Sequence, residues 1–266
     1  MSHSKTSSVR LVSQTVFSEF LDREVRVDYY LPHVPWWKFW ERPYVLLFHD
    51  GQDLERMNFA QLYRKTFARR SGRRPLVVAV HANDRRLREY GTAAGPDYAQ
   101  RGDLAHQHER FVLEELLPPV RAAHRTFGRC AVAGCSLGGL AAFDLAWRNP
   151  EVFDRVGVFS GALWWRSRVF RPEAPDADLM VHDMVRRTPA VRRGMRFWFQ
   201  TGTLDEESDR NRNGTIDSID DTLHLIACLQ EKGYRTGEEI TYVEIEGGRH
   251  DVPTWASILP EFLRWL

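Results

Sequence analysis

The sequence centres on one stretch, Cys130-Ala-Val-Ala-Gly134-Cys-Ser136-Leu-Gly138-Gly139-Leu-Ala-Ala-Phe143. Residues 130–133 are short and apolar, which is typical of a buried strand, and the apolar residues after Ser136 recur at helical spacing. The three glycines remove side chains where this strand and helix must pack closely. Such a turn lifts Ser136 clear of the sheet and leaves the Leu137 N–H free at the helix start. The pattern predicts a nucleophile elbow rather than an ordinary Gly-rich turn, with the Leu137 N–H facing an oxyanion.

Composition limits the class of protein. The 266 residues are 43% hydrophobic, which is enough for the core of one large α/β domain spanning 1–266. With 37 basic and 36 acidic residues the net charge is +1, so we expect no nucleic-acid partner. The N-terminal residues lack the apolar core of a signal peptide and no apolar run approaches the length of a membrane span, so we expect neither feature. Its three cysteines, Cys130, Cys135 and Cys228, lack metal-ligand spacing and indicate reduced thiols in a cytoplasmic protein.

Strand and helix patterns alternate along most of the chain. Residues 9–31 form two alternating runs with a break near Asp22, which predicts an antiparallel pair at a sheet edge. Apolar strands near residues 44–48, 76–80, 153–159, 195–202 and 240–245, with helices between several of them, favour a mostly parallel sheet with helices on both faces. Residues 166–194 are charged and contain prolines, so we interpret them as a cap-like insertion over the site.

Polar and aromatic residues follow several of these strands. The strand at 44–48 leads into Asp50 and Gly51, and the N–H of the next residue, Gln52, is expected to be the second oxyanion donor. Trp164 and Trp165 leave the strand at 153–159 on the same edge as Ser136, where they would wall a substrate pocket or serve as packing. A predicted loop bracketed by prolines carries Trp36, Trp37 and Trp40. These rings either pack on a neighbouring surface or form an apolar contact site for substrate or membrane.

A serine nucleophile needs a base, and the base needs a third group that fixes its tautomer. In α/β-hydrolases the chain order is Ser, then Asp or Glu, then His. Asp205 follows the penultimate predicted strand, with Glu206 as its near competitor and Asp209 as a distant one. His250 follows the last strand, whereas His224, the other histidine after Asp205, falls in a predicted helix. The sequence therefore predicts a Ser136–His250–Asp205 triad.

The chain resembles the putative-esterase branch of the α/β-hydrolases, which includes enterochelin esterases, feruloyl esterases, esterase D and mycolyltransferases. The resemblance covers roughly residues 25–266 and rests on segments that include Leu-Leu-Phe-His-Asp50-Gly-Gln-Asp-Leu, Gly134-Cys-Ser-Leu-Gly-Gly, Ser160-Gly-Ala-Leu-Trp-Trp and Gly247-Gly-Arg-His-Asp-Val-Pro-Thr-Trp255. It implies the α/β-hydrolase fold, the same triad and the same oxyanion donors. It does not fix the substrate, and the extra N-terminal domain of enterochelin esterases is not visible in the sequence.

The expected activity is hydrolysis of small or medium carboxylic esters, with a small-molecule ester as partner and no cofactor for catalysis. Three alternatives remain open: an acyltransferase, a siderophore or carbohydrate esterase, and a non-catalytic calcium-dependent binding module. A module that only binds has no need of an intact triad, which counts against the last. The oligomeric state cannot be derived from the sequence.

A second motif, at residues 209–220, has the spacing of an EF-hand calcium loop. Oxygen-bearing side chains occupy positions one, three, five, nine and twelve, and Gly214 occupies position six. Aspartate replaces the usual glutamate at position twelve, as in dockerin-type loops. The predicted ligands of a structural Ca²⁺ are Asp209, Asn211, Asn213, Thr215, Asp217 and Asp220. The alternative is a solvated Asn-Gly turn with scattered charges.

Overall fold

The computed structural model describes residues 9–33, 43–68, 74–189 and 191–266. Eight strands form one sheet, with bounds β1 Val9–Ser18, β2 Arg23–Pro32, β3 Tyr44–His49, β4 Pro75–Val80, β5 Cys130–Cys135, β6 Phe153–Phe159, β7 Arg196–Leu204 and β8 Ile240–Arg249. The α-helices are α1 Gly51–Arg56, α2 Phe59–Phe67, α3 Arg86–Glu89, α4 Ala105–Arg110, α5 Leu117–His124, α6 Leu137–Arg148, α7 Met180–Arg187, α8 Asp217–Glu231 and α9 Val252–Trp265. A π-helical segment, Phe111–Leu116, joins α4 to α5.

The sheet order is β1-β2-β4-β3-β5-β6-β7-β8. The pairs β1–β2 and β2–β4 are antiparallel, and every later pair is parallel. Every residue of β4 and β5 is buried, as expected of parallel strands that are covered on both faces. This arrangement confirms the predicted α/β-hydrolase fold and its N-terminal antiparallel pair.

Aromatic residues dominate the packing on both faces of the sheet. On one face Phe143 and Trp147 of α6 stack at 5.9 Å, and Phe143 lies 6.0 Å from Phe197 of β7. On the other face Phe262 of α9 meets Phe159 of β6 edge to face at 5.2 Å. Helices therefore hold β5 and β6 from both sides, which fixes the strand ends where Ser136 and Ser160 lie.

Some elements are longer than the sequence predicts. Strand β8 continues to Arg249 instead of ending near 245, so His250 follows the strand directly. Helix α9 begins at Val252 rather than near 255, because the Asp251 carboxylate accepts a hydrogen bond from the Thr254 N–H at 2.9 Å and caps the helix. No helix is predicted directly after β3, where the structure has α1 and α2.

Residues 166–194 contain α7 and an isolated bridge between Arg166 and Leu179. The Arg166 guanidinium donates to the carbonyls of Pro175 and Ala177, each at 2.7 Å. These bonds fold the segment back on itself, and its role as a cap stays a prediction. The tryptophans at 36, 37 and 40 lie outside the described residues. Within the described ranges, no helix combines the length and hydropathy needed to cross a membrane.

Candidate active site

Ser136 occupies the sharp turn between β5 and α6. Its backbone has φ 55° and ψ −123°, a conformation that L-residues rarely adopt. The Ser136 N–H donates to the Phe159 carbonyl at 2.8 Å, and its own carbonyl accepts from the Ala162 N–H at 3.0 Å. A Cβ on Gly134 would lie 2.4 Å from the Gly138 oxygen, so only glycine fits there. The turn has the geometry that a nucleophile elbow requires.

Two backbone amides at the edge of this turn are free to bind an anion. In the described part of the chain, the N–H groups of Leu137 and Gln52 donate no hydrogen bond. Each lies in the first turn of a helix, α6 and α1 respectively, where no intrahelical acceptor is available. The two helix starts adjoin, since a Cβ on Gly138 would lie only 2.6 Å from Asp50 Oδ2.

A buried ion pair lies beside these helix starts. Asp50 is fully buried with φ 58°, and its carboxylate accepts from Arg86 Nε at 2.7 Å and Nη2 at 2.8 Å. Gln52 Nε2 donates to the same carboxylate at 2.9 Å, and the Asp50 N–H donates to the Tyr90 hydroxyl at 3.2 Å. The guanidinium balances a carboxylate that would otherwise repel a developing oxyanion.

Two buried histidines connect the end of β3 to the start of α6. His49 Nδ1 lies 3.1 Å from the Gly138 carbonyl, which only accepts, so Nδ1 carries the proton. His49 Nε2 is then an acceptor for His108 Nε2 at 3.2 Å. Burial lowers the pKa of His49 to about 4, and it lowers the pKa of His108 as well. Both rings are therefore neutral and hold the Asp50 turn against α6.

The predicted acid and base lie at the same sheet edge. Asp205 follows β7, and its Oδ2 accepts from the Gly202 N–H at 3.0 Å. Burial raises the pKa of Asp205, while the Gly202 N–H, the Ser160 hydroxyl and the charge of His250 oppose that rise. Desolvation and then the charge of Arg86 lower the pKa of His250, against the opposite effect of Asp205. Across the described ranges, no hydrogen bond joins His250 to Ser136 or to Asp205.

The competing residues have other surroundings. Burial and the charge of Asp217 raise the pKa of Glu206, which faces the backbone of Ser218. The Asp209 carboxylate accepts from two amides of its own loop. His224 is on α8 and contacts Arg186. Of these groups, Asp205 is the carboxylate that interacts with His250, which favours it as the acid.

The tryptophans that follow β6 differ in exposure. Trp164 is 38% exposed, whereas Trp165 is buried and packs against Gly91 and Gly102. The Arg101 guanidinium lies 4.9 Å from the centre of each tryptophan ring. Trp164 can therefore contact a ligand directly, while Trp165 supports the loop beneath it.

The predicted calcium loop has its own hydrogen-bond pattern. The Asp209 carboxylate accepts from the N–H groups of Asn213 and Gly214 at 3.0 and 2.9 Å, and Gly214 has φ 85°. The side-chain amides of Asn211 and Asn213 donate to Asp220 at 2.7 and 3.1 Å. Four of the predicted ligand side chains thus converge on one another. In the described residues, no three carboxylates of the loop place their oxygens within 4.8 Å of one another.

Sequence reasoning missed the partners that surround the triad. Arg86 lies in the polar segment after the strand at 76–80, which could line the pocket, but its pairing with Asp50 gave no signal. The His49–His108 pair gave none either, because each contact joins distant elements. Ser160 and Trp255 stand out in the sequence only as parts of family segments, yet Trp255 Nε1 donates to Ser160 Oγ at 3.0 Å in a buried position. The one sequence signal for this contact is the position of Ser160 at the end of a predicted strand.

Comparison with protein families now identifies the chain. The family model described as "Esterase: Putative esterase" matches residues 18–266. The chain belongs to the putative esterase family. A search of curated protein sequences returned no significant match.

Solved structures share the fold of this chain. The enterobactin esterase of Shigella flexneri matches with a TM-score of 0.70 and 21% identity, over 96% of this chain and 58% of that protein. A ferulic acid esterase matches with a TM-score of 0.69 and 19% identity, over 97% of both chains. An IroE-like serine hydrolase from Shewanella oneidensis matches with a TM-score of 0.70 and 16% identity, over 96% of this chain and 79% of that protein. The esterase therefore spans little more than half of the Shigella protein.

Proposed function

We propose that this protein is a serine esterase that hydrolyses small or medium carboxylic esters through Ser136, His250 and Asp205. The observation that carries the proposal is the backbone of Ser136, strained at φ 55° directly before a helix whose first amide is free. Strain of this kind, on the order of 1 to 3 kcal/mol, persists where the surrounding structure holds a functional side chain in place. Membership of an esterase family supports the same conclusion.

The proposed reaction is acyl transfer in two halves. His250 takes the proton of Ser136 as Oγ attacks the ester carbonyl, and the amides of Leu137 and Gln52 hold the oxyanion. The imidazolium then protonates the leaving alcohol, and the acyl group stays on Ser136. Water attacks this acyl-enzyme with His250 again as base, which releases the acid and restores the serine. No step requires a cofactor.

The proposed substrate pocket lies between the two helix starts and the loop after β6. Asp50 and Gly51 are its proposed floor; Gly51 packs closely on the His81 ring, where a Cβ would lie 2.6 Å from a ring atom. Exposed Trp164 is the proposed wall, backed by buried Trp165. The three free cysteines are all buried, which supports a cytoplasmic protein with reduced thiols.

Structural calcium in the loop at 209–220 is part of the proposal. Its support is the folded loop itself, in which Asp209 accepts from two loop amides and Gly214 makes the turn. The amides of Asn211 and Asn213 face Asp220, and reversal of each amide would present oxygen instead. Oxygen ligands in such a loop suit Ca²⁺, which would hold the segment that follows Asp205.

The triad is tested by steady-state turnover of p-nitrophenyl acetate and p-nitrophenyl butyrate. We expect Ser136→Ala to lower kcat by about 10⁴ to 10⁶, and His250→Ala to do nearly the same because the triad acts as a unit. Asp205→Asn should lose about 10⁴, while Glu206→Gln is the matched control and should retain activity. Full activity of Ser136→Ala would overturn the proposal.

A further inference from the structure

A buried hydrogen bond links the helix after His250 to the strand end beside Asp205. Trp255 Nε1 lies 3.0 Å from Ser160 Oγ, and the two residues are 6% and 1% exposed. Ser160 directly follows β6, where its N–H donates to the Gln200 carbonyl at 2.7 Å. Its φ of 42° is unusual for a residue other than glycine. The surrounding structure therefore holds the Ser160 hydroxyl in one place.

The chemistry of the two groups sets the direction of this bond. An indole N–H only donates, so the Ser160 oxygen is the acceptor and its own proton remains available. The Ser160 hydroxyl is close enough to the Asp205 carboxylate to lower the pKa of that group, although no hydrogen bond closes between them in the described structure. Oδ2 of Asp205 accepts from the Gly202 N–H, whereas buried Oδ1 has no partner with normal hydrogen-bond geometry in the described structure. A Ser160 hydroxyl turned toward Asp205 would supply the hydrogen bond that Oδ1 lacks.

Trp255 also touches the proposed base. The rings of His250 and Trp255 meet edge to face, with centres 5.3 Å apart and planes at 79°. One indole therefore contacts the base directly and reaches the acid through Ser160. The charged groups that act on this pair are Arg86 and Asp251, of which Asp251 acts on both members.

We propose that Ser160 and Trp255 are positioning residues for the triad: the indole orients the Ser160 hydroxyl, which donates to Asp205 and keeps the carboxylate ionised and directed at His250. The inference rests on the proposed function, because it assigns a role to residues that act through Asp205. It extends that function by explaining what holds the acid, which follows β7 in a loop. Neither residue attacks the substrate or transfers a proton to it.

The test is the pH profile of kcat/KM, which reports the groups of the free enzyme. A hydrogen bond to a carboxylate favours its ionised form, so Ser160→Ala should raise the pKa of Asp205. The carboxylate also becomes more basic and stabilises the His250 imidazolium better. Both effects shift the acid limb of the profile, the pH range in which kcat/KM falls as pH decreases, to higher pH by about one unit. We expect kcat/KM on p-nitrophenyl butyrate to fall about tenfold at pH 6 and only two- to threefold, roughly, at pH 9.

Trp255→Phe is the second variant, because it keeps an aromatic ring on His250 and removes the donor. It should move the acid limb upward by less than Ser160→Ala does. In the Ser160→Ala background it should add no further shift, since the two residues act in series. Matched controls are Trp265→Phe on the same helix and Ser218→Ala on α8, whose Nε1 and Oγ are buried without partners in the described structure. Neither control should move the limb.

Two outcomes separate this inference from the proposed function. If Asp205→Asn stays fully active, the triad itself is wrong. If Asp205→Asn is inactive but Ser160→Ala loses rate equally at every pH, the triad stands and the positioning role is wrong. Additive limb shifts of Ser160→Ala and Trp255→Phe would also contradict a serial arrangement.

Discussion

The guanidinium of Arg86 donates two hydrogen bonds to the buried carboxylate of Asp50, from Nε to Oδ1 at 2.7 Å and from Nη2 to Oδ2 at 2.8 Å. The pair lies beside the start of α6, where a Cβ on Gly138 would touch Asp50 Oδ2. A two-point contact fixes orientation as well as charge. An oxyanion that forms at the amides of Leu137 and Gln52 therefore meets a neutral pair instead of a free carboxylate.

Loss of this guanidinium should impair stability and catalysis together. We expect Arg86→Ala to lower the free energy of unfolding by about 2 to 4 kcal/mol, because it leaves a buried charge unpaired. kcat should fall about a hundredfold, since the free carboxylate opposes the oxyanion. Urea denaturation and p-nitrophenyl butyrate kinetics measure the two effects. Arg88→Ala, on the same short helix α3, breaks the more exposed pair with Asp103 and should change neither.

The charge of Arg86 also predicts how the pH dependence of kcat/KM changes in variants of this residue. The positive charge of Arg86 lowers the pKa of His250, so its removal raises that pKa and moves the acid limb of kcat/KM to higher pH. Arg86→Lys keeps the charge but loses the two-point contact. It should keep the limb near the wild-type position while kcat still falls. A limb that stays in place in both variants would refute this coupling.

Asp144 of α6 carries a stability penalty that depends on pH. The residue is buried, its Oδ2 accepts from the Ala93 N–H at 2.8 Å, and its Oδ1 has no partner in the described structure. Burial raises its pKa to about 7. Since this folded-state pKa exceeds the unfolded value, the penalty is absent below about pH 4, grows as pH rises and is complete above about pH 7.

Asp144→Asn should remove this penalty. We expect the free energy of unfolding of Asp144→Asn to exceed that of wild type by about 1 to 3 kcal/mol more at pH 8 than at pH 5. Urea denaturation at both pH values measures the difference. Asp84→Asn, at an exposed turn, is the control. If Asp144→Asn had the same stability relative to wild type at both pH values, Asp144 would not titrate between them.

Calcium should stabilise the loop after Asp205. We expect saturating Ca²⁺ to raise Tm by about 3 to 8 °C and EDTA to lower it, because a ligand that binds only the folded state stabilises it. Asp209→Ala should abolish the response, whereas Asp183→Ala on α7, outside the loop, should retain it. A Tm that does not respond to Ca²⁺ or EDTA would leave the loop as a hydrogen-bonded turn without a metal.

The sequence predicts the sheet well because strand patterns are local. The alternating runs at 9–31 and the apolar runs before Ser136 and Asp205 each place a strand, and the structure confirms the fold. The triad stays a prediction, since strand ends bring its members to one edge without closing their hydrogen bonds. Trp255 and Ser160 are 95 residues apart, and Arg86 is 36 residues from Asp50. Such contacts depend on how elements pack, which no local pattern encodes.

The covalent intermediate on Ser136 is the central claim, and pre-steady-state kinetics test it directly. Stopped-flow mixing with p-nitrophenyl acetate should release a burst of about one p-nitrophenol per chain when deacylation limits turnover. Mass spectrometry of enzyme quenched during turnover should place the acetyl group on Ser136, and Ser136→Ala should show neither signal. An acetyl group on another residue, or a burst that persists in Ser136→Ala, would contradict the account.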